Sequence, residues 1–343
     1  MTTIGLIGAA GHGVWHRRTV AALPGADLVA VCDVRPVPPA DGAPLAGVAV
    51  FGDHRAMLAE AKPEVVIVCT PPHTHLGIAL DVLAAGADLL LEKPPVASLA
   101  EHDRLAAELA KTGRLCQVNF QALGSAALDR LPRAVSSIAV AGAWWRPPEY
   151  WRRSPWSGKG VDGALVNAFA HAVMQGLAVA EAAGFGPVAG VRVERYRVAD
   201  IEVEDTARLV VSFAHGRTLT VAVTLATDEF VAGEVVVDGS AVLEYPTDRL
   251  RLPGADWVEV PGRVGMLANL LDHRADPAVP LLAPLARTRE FTAILQAVLA
   301  GPAPVPVPEK YLVARDGGWA IRGAAEAVRS AALNPDKEFP CAS

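Results

Sequence analysis

The chain is poor in cysteine, and the cysteines it has are far apart. Its 343 residues include four, at positions 32, 69, 116 and 341, without a Cys-x-x-Cys pair. This spacing argues against a disulfide framework or a zinc site. Cys32 and Cys69 end apolar runs typical of buried strands. We therefore expect packed thiols in a reducing compartment and predict a cytoplasmic protein.

Charge of one sign and long hydrophobic runs are also missing. The formal net charge is −6 and no basic stripe is present, which argues against nucleic acid as a partner. No apolar run approaches the roughly 20 residues that span a bilayer. The opening residues, MTTIGLIGAAG, carry no basic segment or cleavage signature of a secretory signal. The sequence thus predicts binding to neither nucleic acid nor membrane.

Hydrophobic residues are abundant, at 52%, and the length suits two domains. Apolar runs alternate with helical stretches in the N-terminal part, and such runs suit parallel strands covered on both faces. The runs are Thr3–Ile7, Leu28–Asp33, Val65–Thr70, Asp88–Glu92 and Arg114–Val118. The helical stretches include about 75–85 and 98–112, the second with Ser98 and Glu101 as a capping box. This alternation predicts an α/β Rossmann domain, a doubly wound parallel sheet, over residues 1–122.

The first strand breaks into a glycine-rich turn before a helix. Gly8 and Gly13 take the first and third positions of G-x-G-x-x-G, Ala10 takes the second, and Gly11 and His12 lie between. Such a turn aims backbone N–H groups and a helix dipole at an anion, although a tight loop without a ligand is the alternative. Asp33 ends the second strand about 20 residues later, where a carboxylate binds the adenosine ribose and repels a 2′-phosphate. We therefore predict NAD rather than NADP, with nearby Arg35 softening the preference.

Three segments together resemble one known family. They are the GLIGAAGHG opening, CTPPHTH at 69–75 and LEKPPVASLAE at 91–101. The sequence is similar to the glucose–fructose oxidoreductase and inositol dehydrogenase family, the Gfo/Idh/MocA oxidoreductases. The resemblance covers the N-terminal domain well and the remainder loosely. It implies hydride transfer between NAD and a secondary alcohol or ketone of a sugar, sugar derivative or cyclitol.

The resemblance also implies roles for N-terminal residues. Lys93 would lie beside the nicotinamide and bind the reacting substrate oxygen, and Glu92 would approach the nicotinamide ribose. The cofactor cleft would be lined by Thr70, Pro71, Pro72, His73 and His75. His73 and His75 could instead be a metal pair, but without a nearby carboxylate or cysteine we predict no metal. Where many relatives have an arginine-bearing segment, this chain has Asn119-Phe120-Gln121-Ala122. We retain Asn119 as a cofactor candidate and Gln121 as a substrate candidate, with no role transferred.

A helix from about Gly163 to Ala183 is predicted to carry the catalytic base, with Asp162 as its N-cap. Asn167 and His171 are four residues apart, so both would project from one face. The resemblance implies that His171 is the general base. Many relatives have Asp where this chain has Asn167, and an amide orients an imidazole without stabilising its protonated form.

The remainder, 123–343, is predicted as an α+β domain with an open antiparallel sheet and flanking helices. Its strand-like runs alternate and are joined by glycine turns. In family members one face of this sheet lies against the catalytic helix and the other often forms an oligomer interface, so the resemblance implies a homodimer or homotetramer. A final helix near Ile321–Ala332 could pack back on the first domain.

Four of the seven tryptophans lie between positions 144 and 156, interspersed with arginines. Aromatic faces stack on sugar rings, and guanidinium groups bind hydroxyls or carboxylates. The substrate candidates here are Trp145, Arg146, Tyr150, Trp151 and Arg153. Core packing or a subunit contact is the competing interpretation. Two other functions stay open: a lyase, epimerase or glycosidase that recycles a tightly held cofactor, and a non-catalytic sugar sensor.

Overall fold

The structure, a computed structural model, describes residues 1–337 and residue 339. The chain divides into two compact units. The first consists of Met1–Phe120 and Val264–Thr292, and the second of Gln121–Arg263 and the chain from Ala293 onward. The predicted domains had one break, after residue 122, and thus placed 264–292 in the second domain.

The segment Val264–Thr292, which returns to the first unit, is held there by buried hydrogen bonds. Gln117, on the last strand of that unit's sheet, is fully buried and donates from Nε2 to the Asn269 side chain at 2.6 Å. Its Oε1 accepts from the Ala283 N–H at 3.0 Å. A buried amide needs such partners. They are supplied by residues far away in the sequence, so local pattern did not reveal them.

The first unit is a six-stranded parallel sheet in the order β3-β2-β1-β4-β5-β6 with helices between the strands, and the predicted Rossmann sheet is confirmed. Residues of β4 and β5 are buried on both faces, as their continuous apolar sequences predicted. Two elements, β3 and α2, were not predicted, because β3 has three residues and is largely exposed. The elements are β1 (Thr2–Ile7), α1 (Gly13–Ala22), β2 (Ala26–Cys32), β3 (Ala49–Phe51), α2 (His54–Ala61), β4 (Val65–Val68), α3 (His75–Ala84), β5 (Asp88–Leu91), α4 (Leu99–Thr112), β6 (Cys116–Val118) and, later in the chain, α6 (Met266–Ala275).

The second unit contains a larger sheet in the order β14-β13-β12-β11-β7-β10-β9-β8-β15, with the β16–β17 hairpin joined to β11. Its elements are β7 (Ser137–Trp145), α5 (Ala170–Ala182), β8 (Val188–Arg197), β9 (Thr206–Phe213), β10 (Thr218–Thr224), β11 (Ala226–Val237), β12 (Ala241–Tyr245), β13 (Arg249–Arg251), β14 (Val258–Glu259), α7 (Arg289–Ala300, which spans the division), β15 (Val305–Pro306), β16 (Leu312–Arg315), β17 (Gly318–Ile321) and α8 (Ala324–Leu333).

This sheet is mixed, which corrects the predicted antiparallel sheet. Most neighbours are antiparallel, but the central pair β7 and β10 is parallel, with Ser137 opposite Thr218. Parallel neighbours need a crossover connection. Here α5, β8 and β9 intervene between the two strands.

Helices cover both faces of the central strands. Along β7, Val140 and Gly142 face α5, where Gly176 and the Phe169 ring pack against them. The alternate residues Ala139, Ala141 and Ala143 belong to the cluster that α8 covers. The closing helix therefore lies on the sheet of its own unit, whereas the sequence allowed it to pack on the first domain. The apolar face of α8 packs on that alanine-rich surface.

Three cysteines are free thiols, Cys32, Cys69 and Cys116, and Cys341 lies outside the described residues. Burial raises the pKa of Cys32 to about 11 and that of Cys116 to about 12. These thiols are therefore protonated at neutral pH and are poor nucleophiles. Among the described residues, no helix combines the length and apolar character needed to cross a membrane.

Candidate active site

The turn after β1 depends on two glycines. Gly8 has a φ of +88°, and a Cβ built there would lie 2.3 Å from the Cys69 carbonyl oxygen. A Cβ on Gly13, the first residue of α1, would lie 2.0 Å from the Gly8 carbonyl oxygen. Among the described residues no side chain caps the N-terminus of α1. The turn therefore brings backbone and the positive end of a helix dipole to one place.

Asp33 follows β2 and lies beside this turn. Its Oδ2 accepts from the Ala10 N–H at 3.0 Å, and its Oδ1 accepts from the Arg35 N–H at 3.0 Å. The carboxylate side chain is only 8% exposed, whereas the Arg35 side chain is 72% exposed with its Nε 3.9 Å from Asp33. The negative group is thus held firmly at the end of β2, and its neighbouring cation lies largely in solvent.

The turns that follow β4 and β5 are braced by His75. Its imidazole is fully buried, with Nδ1 2.9 Å from the Pro94 carbonyl oxygen and Nε2 2.9 Å from that of Thr70. Burial lowers the pKa of His75 below its ordinary value, so the neutral ring donates to one of these oxygens. This buried position differs from the predicted one, in the lining of a cofactor cleft. His73, two residues earlier, is exposed.

Glu92 is the centre of a buried polar network at the end of β5. Its Oε1 accepts from His16 Nε2 at 2.8 Å and from Asn119 Nδ2 at 2.5 Å, and it lies 3.5 Å from His12 Nε2. Its Oε2 accepts from the Lys93 N–H at 3.1 Å. Burial alone would raise the pKa of Glu92, but the hydrogen bonds from His12 and His16 outweigh it and hold the pKa well below its ordinary value. The carboxylate is therefore ionised.

The same network contains a set of possible metal ligands. One ligand atom each from His12, His16 and Glu92 lies within 4.8 Å of the others. Such a set could hold a divalent cation. The sequence predicted no metal and drew attention to His73 and His75 instead. The hydrogen bonds to Glu92 already satisfy its carboxylate, so the network is complete without an ion.

The predicted catalytic helix is interrupted. A π-helical turn over Ala164–Ala168 carries Asn167, with the Phe169 N–H bonded to the Ala164 carbonyl, and the α-helix begins only at Ala170. Both ends of the wide turn are fixed by packing. A Cβ on Gly163 would lie 2.0 Å from a Glu204 carboxylate oxygen, and the Phe169 ring fills the space over Gly142. The simple four-residue spacing of a regular helix therefore does not apply to Asn167 and His171.

Asp162 has a different role from the predicted N-cap, which is Gly163. Its side chain is fully buried and forms an ion pair with Arg153. Its Oδ1 also accepts from Asn167 Nδ2 at 2.5 Å, and its Oδ2 accepts from the Gly158 N–H at 2.8 Å. A buried carboxylate therefore lies one hydrogen bond from Asn167. Sequence reasoning missed this connection because the π-turn that creates it has no sequence signal.

A cavity of about 380 Å³ lies in the second unit where β7 ends and β11 begins. It forms because β11 is irregular there: the pairing of β11 with β7 skips from Ala226 to Val231. The lining residues are Trp144, Trp145, Arg146, Thr227, Glu229, Phe230, Pro246 and Arg315.

Two of the five predicted loop residues, Trp145 and Arg146, line this cavity. Tyr150 lies behind them, its ring centroid 5.0 Å from Arg146 Cζ, and Trp151 meets the Tyr150 ring edge-on at 5.0 Å. Arg153 is turned toward Asp162. Gln121 begins a short 3-10 turn at the start of the second unit, away from the 144–156 loop in sequence.

Several candidate residues were not found from the sequence. His16 had a usable signal, since it follows His12 at helical spacing directly after the glycine turn. Arg315 and Phe230 had none, because the hairpin and the irregular strand that carry them are long-range features. Trp144 was passed over in favour of its neighbour Trp145.

The fold and these sites define an α/β protein with a dinucleotide-binding type of Rossmann unit and a second, sheet-based unit. Residues 2–120 match a family model described as "Oxidoreductase family, NAD-binding Rossmann fold". Over this region the chain is similar to the Gfo/Idh/MocA oxidoreductases. Inositol 2-dehydrogenase from Burkholderia cenocepacia is 33% identical over 138 residues, which is 39% of this chain and 41% of that protein. The chain thus matches about two fifths of the length of this curated relative.

Solved structures match over a larger part of the chain. UDP-N-acetylglucosamine 3-dehydrogenase from Acidithiobacillus ferrooxidans has a TM-score of 0.71 at 19% identity, covering 87% of this chain and 98% of that one. The WlbA dehydrogenase from Bordetella pertussis, in complex with NADH and UDP-GlcNAcA, has a TM-score of 0.69 at 21% identity and covers 87% and 95%. At these identities the likeness establishes the fold of the chain.

Proposed function

We propose that the protein is an NAD-dependent dehydrogenase acting on a secondary alcohol of a sugar, sugar derivative or cyclitol. One observation carries the proposal. The carboxyl ends of the parallel strands lie at one edge of the sheet, and the glycine turn, Asp33, the Thr70 turn and Lys93 follow four of them. Ligands of such sheets bind at this edge.

Each part of the NAD molecule has its own proposed binding residues. The Gly8–Gly13 turn receives the pyrophosphate, and Asp33 binds the adenosine ribose. Glu92, held ionised by its network, binds the nicotinamide ribose. NAD, when bound, accepts the hydride from the substrate carbon.

Lys93 and His171 are proposed to act on the same substrate hydroxyl. Lys93 donates a hydrogen bond to the oxygen and stabilises its developing negative charge, while His171 takes the proton. Asn167 orients the substrate or the imidazole. Its bond to buried Asp162 supports this proposal, because that carboxylate fixes the amide with its Nδ2 as donor and its Oδ1 toward other partners.

The decisive experiment compares Lys93→Met with the wild type in NADH formation on aldoses, uronic acids and inositols. We expect turnover to fall by at least about a thousandfold, because a hydrogen-bond donor to the reacting oxygen is lost. NAD affinity, measured by calorimetry, should be nearly unchanged. Lys111→Met, which removes a 75%-exposed lysine of the same unit, is the matched control. Undiminished turnover in Lys93→Met would overturn the assignment. No NADH from the wild type, with nicotinamide retained on purification, would favour internal cofactor recycling.

We also propose a cytoplasmic location and assembly as a dimer or tetramer. A cytoplasmic location is supported by the three free thiols, of which Cys32 and Cys116 are buried. Assembly as a dimer or tetramer through the second sheet must involve strands that α8 leaves uncovered. Val258 on β14 is 47% exposed and marks that part of the sheet. Light scattering of wild type and Val258→Glu tests this: a monomeric wild type would exclude the assembly.

A further inference from the structure

Arg146 is a half-buried cation without an acidic partner. Within residues 1–337 and 339, no carboxylate lies within ion-pair distance of its guanidinium, and its Nε is buried without a hydrogen-bond partner. Its Nη1 donates to the Trp145 carbonyl oxygen at 3.4 Å, and its guanidinium also hydrogen-bonds the Tyr150 side chain. Its Cζ lies 5.2 Å from the Trp144 ring centroid and 5.0 Å from that of Tyr150. The two rings hold the charge in place without neutralising it, which is costly for a partly desolvated cation.

A second guanidinium lines the same cavity. Arg315 donates from Nη1 to the Thr227 carbonyl oxygen at 2.5 Å, and its Cζ lies 5.1 Å from the Trp145 ring centroid. Its nearest acid, Asp316, is 71% exposed and 3.6 Å away. An exposed pair of this kind is weak, so Arg315 keeps attraction for an anion in the cavity.

The remaining walls favour such an anion as well. Indole rings and the Phe230 ring give the cavity apolar walls that could contact a sugar ring, and the Phe230 residue is 69% exposed. The Trp144 indole N–H is buried and lacks a hydrogen-bond partner in the described part of the chain. Glu229, the one acidic lining residue, is exposed to solvent, so its repulsion is screened.

The cavity adjoins the residues around His171 within the second unit. The Trp144 ring lies 4.3 Å from that of Phe169, two residues before His171. The His171 imidazole lies 4.9 Å from the Tyr245 ring, and the next residue, Pro246, lines the cavity. A volume of about 380 Å³ is sufficient for part of a monosaccharide with one substituent.

We propose that this cavity binds the anionic substituent, a carboxylate or phosphate, of the sugar or cyclitol substrate, with Arg146 as the principal cation and Arg315 as the second. The inference rests on the proposed function and narrows it to acidic substrates. The aromatic walls contact the ring of the substrate.

The test is calorimetric titration of the full chain, with NAD present, using D-glucuronate, D-glucose 6-phosphate and D-glucose as probes. We expect one of the two anions to bind at least about tenfold more tightly than D-glucose. The preferred anion identifies the substituent. Equal affinity for all three probes, or no binding of either anion, would overturn the inference.

Variants separate this cavity from general charge effects. Arg146→Gln should abolish the preference for the anion, and Arg146→Lys should restore it only in part, because an ammonium lacks the planar fork. Arg152→Gln, which removes an exposed arginine six positions away, should leave it unchanged. If Arg146→Gln unfolds at a lower temperature than the wild type, Arg315→Gln is measured as a second variant of the same cavity. Anion preference that survives in both Arg146→Gln and Arg315→Gln would sink the inference.

The same panel distinguishes the two proposals. NADH formation on neutral sugars, without a preference for anions, would support the dehydrogenase proposal and contradict the acidic substrate. Anion binding that depends on Arg146, without NADH formation from any probe, would support the anion site and contradict the dehydrogenase proposal.

Discussion

The candidate sites of the two units differ in which part of the chain forms them, the backbone or the side chains. In the first, backbone geometry dominates: the Gly8 and Gly13 positions have no room for a side chain, and Asp33 is fixed by two backbone N–H groups. In the second, side chains dominate: stacked aromatic rings and arginines surround the cavity, and a carboxylate fixes Asn167.

This difference accords with what each site is proposed to recognise. A dinucleotide presents the same phosphates and riboses to every enzyme, so a rigid backbone turn suffices. Sugars differ in their hydroxyls and charged groups, which only side chains can distinguish. It also accords with the family match, which covers residues 2–120 of the first unit and none of the second.

The largest effect on NAD affinity is expected from Gly13→Ala in the first unit. A methyl group there overlaps the Gly8 carbonyl, so the turn must open. We expect NAD affinity to fall at least about 100-fold. Calorimetry measures it, with circular dichroism to confirm folding. Gly77→Ala, in α3 of the same unit, is the control, since its Cβ meets nothing within 4 Å. Wild-type affinity in Gly13→Ala would contradict the importance of the backbone.

The two units also hold buried carboxylates with opposite pKa shifts. Burial raises the pKa of Asp205, in the second unit, to about 6, whereas Glu92 in the first is shifted downward. Asp205 in the folded state keeps its proton up to that pH, while the unfolded chain loses it near pH 4. Its contribution to stability is therefore present at low pH and lost as the pH rises from about 4 through 6, by about 3 kcal/mol.

We therefore expect the wild type to gain about 2 of these 3 kcal/mol relative to Asp205→Asn between pH 7 and pH 4, because the unfolded carboxylate is only about half protonated at pH 4. Urea unfolding followed by tryptophan fluorescence measures this in the second unit, which holds six of the seven tryptophans. Glu92→Gln provides the contrast of opposite sign, because its lowered pKa stabilises the folded state at neutral pH and that stabilisation is lost in acid. Parallel pH curves for wild type and Asp205→Asn would refute the raised pKa.

A smaller effect is expected from Gly142→Ala. Its methyl group would lie 2.1 Å from the Phe169 ring, which must shift together with the turn that carries Asn167. We expect a loss of about 1–3 kcal/mol in the free energy of unfolding, with turnover reduced and NAD affinity retained. Gly190→Ala, where a Cβ meets nothing within 4 Å, should stay within about 0.5 kcal/mol of the wild type. Equal stability of the two variants would show that the packing is loose.

The smallest effect is expected from Asp33→Ser. Loss of the carboxylate removes repulsion of a 2′-phosphate, and exposed Arg35 becomes available to attract it. We expect the ratio of kcat/KM for NAD to that for NADP to fall about tenfold. A ratio that does not change would place cofactor discrimination elsewhere.

The sequence was informative where local pattern determines structure. Apolar runs predicted the strands β4 and β5 to within two residues, and Ser98 caps α4 as predicted, with its Oγ accepting from the Glu101 N–H. It failed where distant residues decide. The wide turn at Asn167 depends on Glu204 and Gly142, and the cavity depends on the irregular pairing of β11 with β7. Hydrogen-bond partners such as His16 for Glu92 likewise require the folded chain.

The seating of α8 has an evolutionary consequence. Alanines on the helix, among them Ala324 and Ala331, meet alanines on the strands, such as Ala141 and Ala222, and all four are almost completely buried. With the smallest methyl-bearing side chains in both layers, a larger residue on either side can be accommodated only if the helix moves outward or its counterpart becomes glycine. Homologues that retain this helix should therefore vary in a coordinated way at facing positions, and a change at one layer alone should be rare.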